Sequence, residues 1–258
     1  MAKTGAVDDD YVPSLEKGLG VIQLFSSAQP EWTLSQVARE LDLSPGSTRR
    51  ILRTLELLGL AVSDEGRFRL TAKVLTLGFS YLSSQPFSES AKPLLRELAN
   101  RLDITCTIAV LDGTDVVYVA RASSERYGHF YMYVGARFPA YATAPGRILL
   151  SALPTAELSS LLKGQRMEAF TPNTVKTKAE LKAKLTEVRK QGYSINDQEI
   201  FLGQRSIAVP LTIGGEIKAA LTAASSVGSV QRDEMEKTYL RHLKTAAAEI
   251  EQAASVFL

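Results

Sequence analysis

The sequence is poor in the residues that build disulfides, metal centres and hydrolytic active sites. It has one cysteine, Cys106, and two histidines, His129 and His242. A single cysteine excludes an internal disulfide and is typical of a reducing compartment, so we expect a cytoplasmic protein. Two histidines far apart in the chain match no metal-ligand spacing and no pairing of a nucleophile with a base. We therefore expect no metal, no cofactor and no catalytic residue.

Long apolar runs are also missing. No run approaches the roughly 18–20 apolar residues of a membrane-spanning helix, so we expect no membrane partner. Residues 1–10 contain three consecutive acids and no apolar stretch, which does not resemble a secretory signal, and we expect them to be disordered. A hydrophobic fraction of 45% over 258 residues is enough for a buried core in one large domain or two smaller ones.

The chain has no strong excess of positive charge. Its formal net charge is +2 at pH 7. Residues 1–85 contain 9 Lys and Arg against 10 Asp and Glu, which gives this region a net charge of −1. Composition alone therefore does not indicate nucleic-acid binding, and such a prediction must depend on where the charges lie.

The first part of the chain carries the start signals of two short helices. Ser14 is placed to cap a helix over 14–25, whose apolar residues recur at helical spacing. Thr33 followed three residues later by Gln36 has the spacing of a capping box and predicts the start of a second helix.

A third helix and a hairpin follow. Ser44 and Pro45 have the pattern of an N-cap and a first helical position, and this helix should end near Leu58. Residues 60–62 and 67–70 then resemble two short strands joined by a turn. A helix, a turn, a second helix and a hairpin form a winged helix-turn-helix, in which the second helix of the pair enters the major groove of DNA.

The third helix has a basic side. At about 100° per residue, Arg49, Arg50 and Arg53 fall roughly opposite the apolar residues of the same helix. No acid occurs from 44 to 55, so this side has a local charge of +3, and guanidinium groups suit phosphates and guanine edges. The alternative is an amphipathic surface helix with solvated arginines. The predicted DNA-contacting residues, including two on the wing, are Thr33, Ser44, Gly46, Ser47, Arg49, Arg50, Arg53, Arg67 and Arg69.

Beyond residue 85 the sequence alternates between strand-like and helix-like segments. This mixed order predicts an α+β fold with a mainly antiparallel sheet. Gly214 and Gly215 indicate a hairpin turn, and Cys106 lies on an apolar strand as a core residue. Predicted helices cover 71–83, 88–102, 143–151, 155–162, 178–191 and 231–256, and predicted strands cover 105–111, 116–121, 129–134, 206–213 and 217–224.

Several longer motifs resemble the isocitrate-lyase-regulator (IclR) family of bacterial transcription regulators. They are "TLSQVARELDLSPGSTRRILRTLELLGL", "GRFRLTAKVLTLG", "VGARFPAYATAPGRILLSALP" and "VRKQGYSINDQEIFLGQRSIAVPL". The resemblance implies a winged helix-turn-helix over 11–71, a linker helix over 72–86 and a GAF-like effector-binding domain over 87–258. It also implies a homodimer or homotetramer that binds a pseudo-palindromic double-stranded DNA operator.

The amino-acid sequences of the motifs resemble those of the branch that regulates aromatic-acid catabolism, with 4-hydroxybenzoate, protocatechuate or β-ketoadipate as effector. A regulator responding to a non-aromatic short keto or carboxylic acid is the alternative. In some members Cys, Asp and Ser replace Ser206, Asn196 and Ala224, which implies an effector different from theirs. The pocket residues that the resemblance implies are Tyr127, Phe130, Thr143, Ala144, Pro145, Asn196, Asp197, Ser206, Thr222 and Ala224.

An organic acid removed from water needs a cation or several hydrogen-bond donors. Four arginines are available for this role: Arg121, Arg126, Arg137 and Arg205, of which Arg121 and Arg137 flank the predicted pocket segments. Each could instead form a surface or intersubunit ion pair.

Two other functions remain open. An enzyme with an appended helical module would need a nucleophile, a base and an orienting group, which no motif supplies. A ligand-independent architectural protein would bind DNA or partners without an effector.

Overall fold

The computed structural model describes residues 10–84, 88–124 and 132–255. The chain divides into two compact units, one ending at Tyr81 and the other beginning at Leu82. The boundary falls within the segment predicted as a linker helix. The segment expected to be disordered, 1–10, lies outside the described residues except for Asp10.

The first unit contains three helices, a small antiparallel sheet and most of a fourth helix. The strand order is β1-β3-β2. The elements are α1 Pro13–Leu24, β1 Trp32–Thr33, α2 Leu34–Glu40, α3 Pro45–Leu57, β2 Ala61–Asp64, β3 Arg67–Leu70, a 3₁₀ turn Ala72–Val74 and α4 Leu75–Ser84. Val21, Val37, Leu52, Leu55 and Ala61 form the buried core that joins α1, α2, α3 and the hairpin.

Local sequence explains most helix starts in this unit. The Gln36 N–H donates to Thr33 Oγ1 at 3.3 Å and the Thr33 N–H donates to Gln36 Oε1 at 2.8 Å, which confirms the capping box. The prediction that Ser14 caps α1 was wrong. The helix begins one residue earlier, at Pro13, and Val12 provides no side-chain cap, since a proline in the first turn has no N–H to satisfy.

The hairpin turn is tighter than predicted. Asp64 pairs with Arg67, so only Glu65 and Gly66 form the loop. Both have positive φ angles, 47° and 77°. This geometry matches a type I′ turn, whose twist suits a two-residue hairpin.

The second unit is built on a six-stranded sheet of order β6-β5-β4-β9-β8-β7, with every neighbouring pair antiparallel. The helices are α5 Ser88–Leu102, α6 Ala144–Ala152, α7 Thr155–Leu161, α8 Lys178–Gln191, α9 Arg232–Glu234 and α10 Leu240–Ser255; the strands are β4 Thr105–Asp112, β5 Asp115–Ser123, β6 Arg137–Pro139, β7 Ser194–Asp197, β8 Gln204–Ile213 and β9 Glu216–Ser226.

Three predictions for this unit need correction. The two edge strands, β6 and β7, were not predicted, because strands of three and four residues are too short to show alternation. The strand predicted over 129–134 lies partly outside the described residues, and 132–134 are not in a strand. The closing helix is not uniform, since Met235–Tyr239 is a π-helical stretch between α9 and α10.

Each face of the sheet is covered by different helices. α5 and α10 pack on one face, which we call the outer face, with Ile108 and Leu221 in their core. α6 packs on the other, which we call the inner face, with Ala208 and Ala220, and α8 packs against α6. Phe138 on β6 meets Phe201, in the loop after β7, with ring centroids 5.9 Å apart. The sheet therefore curls until its two edges approach each other.

Candidate DNA interface and effector site

The basic side of α3 is exposed as predicted. Thr48, Leu52 and Leu55 are buried against the rest of the unit. Arg49 and Arg50 are exposed, and among the described residues their guanidinium groups form no ion pair and no hydrogen bond. Their guanidinium groups are available for phosphates or base edges.

Arg53, unlike Arg49 and Arg50, forms an ion pair within the described parts of the chain. Its Nη1 donates to Glu56 Oε2 at 3.4 Å, and its side chain is 66% exposed. Glu56 also accepts a hydrogen bond from the Ser63 hydroxyl at 2.6 Å, which connects α3 to the wing. Glu56 lies just beyond 44–55, the segment whose charge was counted. It therefore reduces the local charge of +3 that the sequence predicted.

The helix-start residues of the predicted set have structural roles. Ser44 Oγ accepts a hydrogen bond from the Ser47 N–H at 3.2 Å and caps α3. Thr33 caps α2 in the same way. Gly46 is exposed, and an added Cβ would meet nothing within 4 Å. Since Pro45 has no N–H and the Ser47 N–H donates to Ser44, the Gly46 N–H is the first-turn amide that remains in this exposed, anion-favouring position.

The wing carries mixed charge. Arg67 lies directly opposite Asp64 on β2 and Thr33 on β1, while Arg69 lies opposite Val62. Directly opposite residues in an antiparallel pair share a face. Both arginines are therefore exposed on one face, as predicted, but Asp64 shares that face.

A large apolar groove runs between α1 and α3 within the first unit. Leu15, Leu19, Leu58 and Leu77 are all about half exposed or more. Side chains of α1, α3 and α4 line the groove, including Leu15, Leu19, Ile22, Ser47, Arg50, Ile51, Leu58 and Leu77. Exposed apolar surface of this extent typically marks a protein interface.

The inner face of the second unit contains a small cavity where the curled sheet edges meet. It brings together three of the residues that the family resemblance implied, Thr143, Asn196 and Ser206, and adds others that the sequence did not single out. The lining residues are Tyr118, Met132, Phe138, Thr143, Asn196, Ile200, Phe201, Gln204 and Ser206. The sequence signal for the added ones was weak, because they come from five separate segments and only the curl brings them together.

The cavity combines an aromatic wall with a helix N-terminus. Phe138 makes edge-to-face contacts with Tyr118 at 6.1 Å and with Phe201 at 5.9 Å. Burial raises the pKa of the Tyr118 phenol, which keeps it protonated and able to donate a hydrogen bond. Thr143 caps α6, and its Oγ1 accepts from the Gly146 N–H at 3.1 Å. Ala144 and Pro145 are buried in the first turn that follows.

The structure separates Asn196 from its neighbour Asp197. Asn196 pairs with Ser206 on the inner face. Asp197 is opposite Arg205 on the outer face, and the two side chains form an ion pair at 3.0 Å. Sequence adjacency placed both in one pocket, but strand alternation directs them to opposite sides of the sheet.

The same alternation separates the candidate arginines. Arg121 lies opposite Thr107, which in turn lies opposite Thr222, so all three share the inner face. Arg137 lies opposite Val117 on the outer face and pairs with two aspartates, Asp112 at 2.5 Å and Asp115 at 3.4 Å. Arg205 is also on the outer face. Arg126, Tyr127, His129 and Phe130 lie outside the described residues.

Two threonines on the inner face have unused hydrogen-bonding capacity. The hydroxyls of Thr107 and Thr222 are both buried and have no hydrogen-bond partner within the described parts of the chain. A buried hydroxyl without a partner costs about 1–3 kcal/mol. Ala224, one row away, is buried between Ser206 and Thr105.

A buried ion pair beside the cavity was missed from the sequence. Arg147 on α6 and Glu199 after β7 have side chains only 1% and 4% exposed, and two nitrogens of the guanidinium contact the two carboxylate oxygens. Both residues stand in the quoted motifs, but 52 positions separate them. No local pattern indicates a pair so distant.

A helix-turn-helix with an exposed basic face and a curled α+β domain with a cavity on its inner face define a ligand-responsive DNA-binding regulator. Residues 14–65 match the IclR helix-turn-helix domain, and residues 79–252 match the bacterial transcriptional regulator IclR C-terminal domain. The chain belongs to the IclR family of bacterial transcriptional regulators, which confirms the resemblance and the fold class.

Individual relatives cover almost the whole chain. The Pca regulon regulatory protein of Pseudomonas putida is 39% identical over 94% of this chain and 84% of its own length. The p-hydroxybenzoate hydroxylase transcriptional activator of Acinetobacter baylyi is 33% identical over 94% of this chain and 92% of its own. A solved structure described as a transcriptional regulator from Rhodococcus sp. RHA1 has a TM-score of 0.87 at 37% identity, covering 96% of this chain and 100% of that one.

Residues 10–84, 88–124 and 132–255 lack two further kinds of feature. No helix there is both long and apolar enough to cross a membrane. No three His, Cys, Asp or Glu side chains in those ranges are grouped so that they could hold a metal ion.

Proposed function

We propose that the protein regulates transcription in response to an aromatic carboxylic acid or its catabolite, such as 4-hydroxybenzoate, protocatechuate or β-ketoadipate. The names of the two curated relatives support this effector class. The proposal involves regulation without catalysis, and it places the protein in the cytoplasm with its operator.

The observation that carries the proposal is the aromatic wall of the inner cavity. Phe138 bridges Tyr118 and Phe201 by two edge-to-face contacts, and this wall faces the polar side chains of Asn196 and Ser206. Aromatic side chains favour a flat ring at such a surface. The amide and hydroxyl suit the oxygen substituents of a hydroxylated acid.

The acid group needs its own partner, and the inner face offers one. Arg121 is the one arginine of the three described candidates that shares a face with Thr107 and Thr222. Thr107 and Thr222 add two hydroxyls that lack a partner among the described residues. We propose that these three groups take part in carboxylate recognition, and that Arg137 and Arg205 do not.

We further propose that the protein binds its pseudo-palindromic operator as a homodimer through the first unit. The groove between α1 and α3 leaves Leu15 and Leu19 exposed, and α4 leaves Leu75, Leu77 and Phe79 exposed. Covering these side chains in a second copy would remove an extended apolar surface of this unit from water. The two-fold symmetry of such a dimer matches a palindromic site.

Fluorescence anisotropy with an upstream DNA fragment tests the proposal, in the absence and presence of 4-hydroxybenzoate, protocatechuate, β-ketoadipate and pyruvate. We expect DNA affinity to fall steeply with salt and to change with an aromatic acid. The triple variant Arg49→Ala/Arg50→Ala/Arg53→Ala should lose affinity without unfolding. A response to pyruvate alone would favour the short-keto-acid alternative. No response to any acid would favour a ligand-independent protein.

Sedimentation tests the dimer separately. The variant Leu15→Glu/Leu19→Glu should shift the protein toward monomer and weaken operator binding. Leu202→Glu, which places the same charge at an exposed leucine of the second unit, is the control. An unchanged dimer in the α1 variant would contradict the proposed interface.

A further inference from the structure

Asn196 is held at both ends of its side-chain amide. Its Nδ2 donates to the Ala142 carbonyl, and its Oδ1 accepts from the Glu199 N–H at 3.3 Å. A carboxamide has two N–H donors and two acceptor lone pairs. These two bonds therefore fix which end is nitrogen and which is oxygen, and they leave one donor and one acceptor for the cavity that Asn196 lines.

The Arg147–Glu199 ion pair holds both ends of this arrangement. On one side, Arg147 Nε donates to the Tyr141 carbonyl at 3.1 Å, one residue before the carbonyl that Asn196 uses. On the other, its two terminal nitrogens contact the Glu199 carboxylate, and Nη1 also donates to the Ile195 carbonyl at 3.2 Å. One guanidinium thus connects the segment before α6 to Ile195, which precedes Asn196, and to Glu199, whose N–H donates to the Asn196 amide.

The loop after β7 begins with residues that are fixed by this ion pair and by Thr174. Thr174 Oγ1 donates to the Glu199 carbonyl at 2.6 Å, so the backbone of Glu199 is also fixed from a third segment. Ile200 and Phe201, the next two residues, line the effector cavity. A bidentate arginine–carboxylate contact constrains direction as well as distance. The pair therefore fixes a polar and an apolar part of the cavity wall together.

We propose that Arg147 and Glu199 are positioning residues that set the orientation of the Asn196 carboxamide and so let the pocket distinguish oxygen-substituted acids from unsubstituted ones. Neither side chain lines the effector cavity itself; both line a separate polar cavity beside α8. They act through Asn196. The inference rests on the proposed effector site, and it specifies how that site selects its ligand.

A double-mutant cycle tests the inference in the full-length protein. Arg147→Met/Glu199→Leu removes both charges together, because, among the described residues, removing Glu199 alone would leave Arg147 buried without a charged partner, and removing Arg147 alone would leave Glu199 with only Lys184 at 3.9 Å. We expect this pair variant to bind 4-hydroxybenzoate at least tenfold more weakly and to lose its preference over benzoate. In an Asn196→Ala background, the same pair of substitutions should weaken the binding of 4-hydroxybenzoate less than twofold. Arg101→Met/Glu97→Leu, which removes an exposed ion pair on α5, is the matched control.

A purely structural role predicts a different result. If the pair variant loses affinity for 4-hydroxybenzoate by the same factor in both backgrounds, or loses no affinity, the ion pair does not act through Asn196 and the inference is wrong. A second measurement needs no effector. The side-chain NH₂ protons of Asn196 should exchange slowly with solvent in the parent protein and quickly in the pair variant, as followed by NMR.

The two proposals can fail separately. If the parent protein binds no acid, the effector proposal fails, and the NMR comparison still decides whether the pair orients Asn196. Unchanged exchange of the Asn196 protons in the pair variant would overturn the positioning role even if effector binding were confirmed. If the pair variant does not fold, Arg147→Lys, which keeps the charge and loses the forked contact, replaces it in both measurements.

Discussion

Arg53 and Glu56 form an ion pair at 3.4 Å on α3, the predicted recognition helix, and the same carboxylate accepts a hydrogen bond from Ser63 of the wing. This helix therefore contains one arginine whose charge is partly neutralised and two, Arg49 and Arg50, whose charge is not. This difference cannot be seen from helical periodicity, and it has a measurable consequence.

Glu56→Gln should strengthen operator binding. The change removes one negative charge near the DNA phosphates and frees Arg53, while the glutamine oxygen can still accept from Ser63. The gain should be about two- to fivefold at low salt, since exposed ion pairs of this kind contribute about 0.2–1 kcal/mol. Anisotropy titrations at several salt concentrations measure it. Glu157→Gln, the same charge change on α7, should have no effect, and weaker binding by Glu56→Gln would contradict the assignment.

Arg121→Met should weaken the binding of an aromatic acid by about tenfold or more. A hydrogen bond to a charged group contributes about 1.5–3 kcal/mol, and the methionine keeps an unbranched apolar stem while removing the charged guanidinium group. Isothermal titration calorimetry with 4-hydroxybenzoate measures the change. Arg137→Met is the contrast, because Arg137 already pairs with Asp112 on the outer face. Equal losses in both variants would contradict the assignment by sheet face.

Much of the DNA-binding unit could be predicted because its signals are local. The capping box at Thr33, the cap at Ser44 and the arginines of α3 all depend on residues within one or two helical turns. The error at Ser14 has the same origin, since a proline one position earlier was a stronger start signal. Glu56 was missed because it lies one residue beyond the segment whose charge was counted.

The candidate effector site could be predicted only in part because its geometry is not local. Family resemblance indicated Thr143, Asn196 and Ser206, and these three line one cavity. It could not separate Asn196 from Asp197, because β7 is too short for its alternation to be recognised. It also missed the contact of Phe138 with Phe201, which exists only once the sheet has curled.

Gly146→Ala should destabilise the second unit strongly. An added Cβ would collide with the backbone of Ala140, which cannot move without shifting the segment that Asn196 and Arg147 hold. We expect a loss at or above the upper end of the about 1–3 kcal/mol typical of overpacking. Thermal denaturation measures it. Gly78→Ala on α4, where a Cβ meets nothing within 4 Å, should instead be neutral or stabilising by up to about 1 kcal/mol.

Cys106 should make the protein less stable at alkaline pH. The thiol is fully buried on β4, and burial raises its pKa above the ordinary value of 9.0. The unfolded chain therefore releases this proton first. The contribution of the buried thiol to stability is complete below pH 9 and is lost as pH rises above it. The loss reaches about 1.4 kcal/mol at pH 10. Denaturant unfolding at pH 8 and pH 10 should show this loss in the parent protein and a smaller one in Cys106→Ala.

The Cys106→Ala variant will be less stable at both pH values because it leaves a cavity, so only the difference between the two pH values is informative. Equal differences in the two proteins would show that another group, such as Tyr118 with its own raised pKa, controls the alkaline limit.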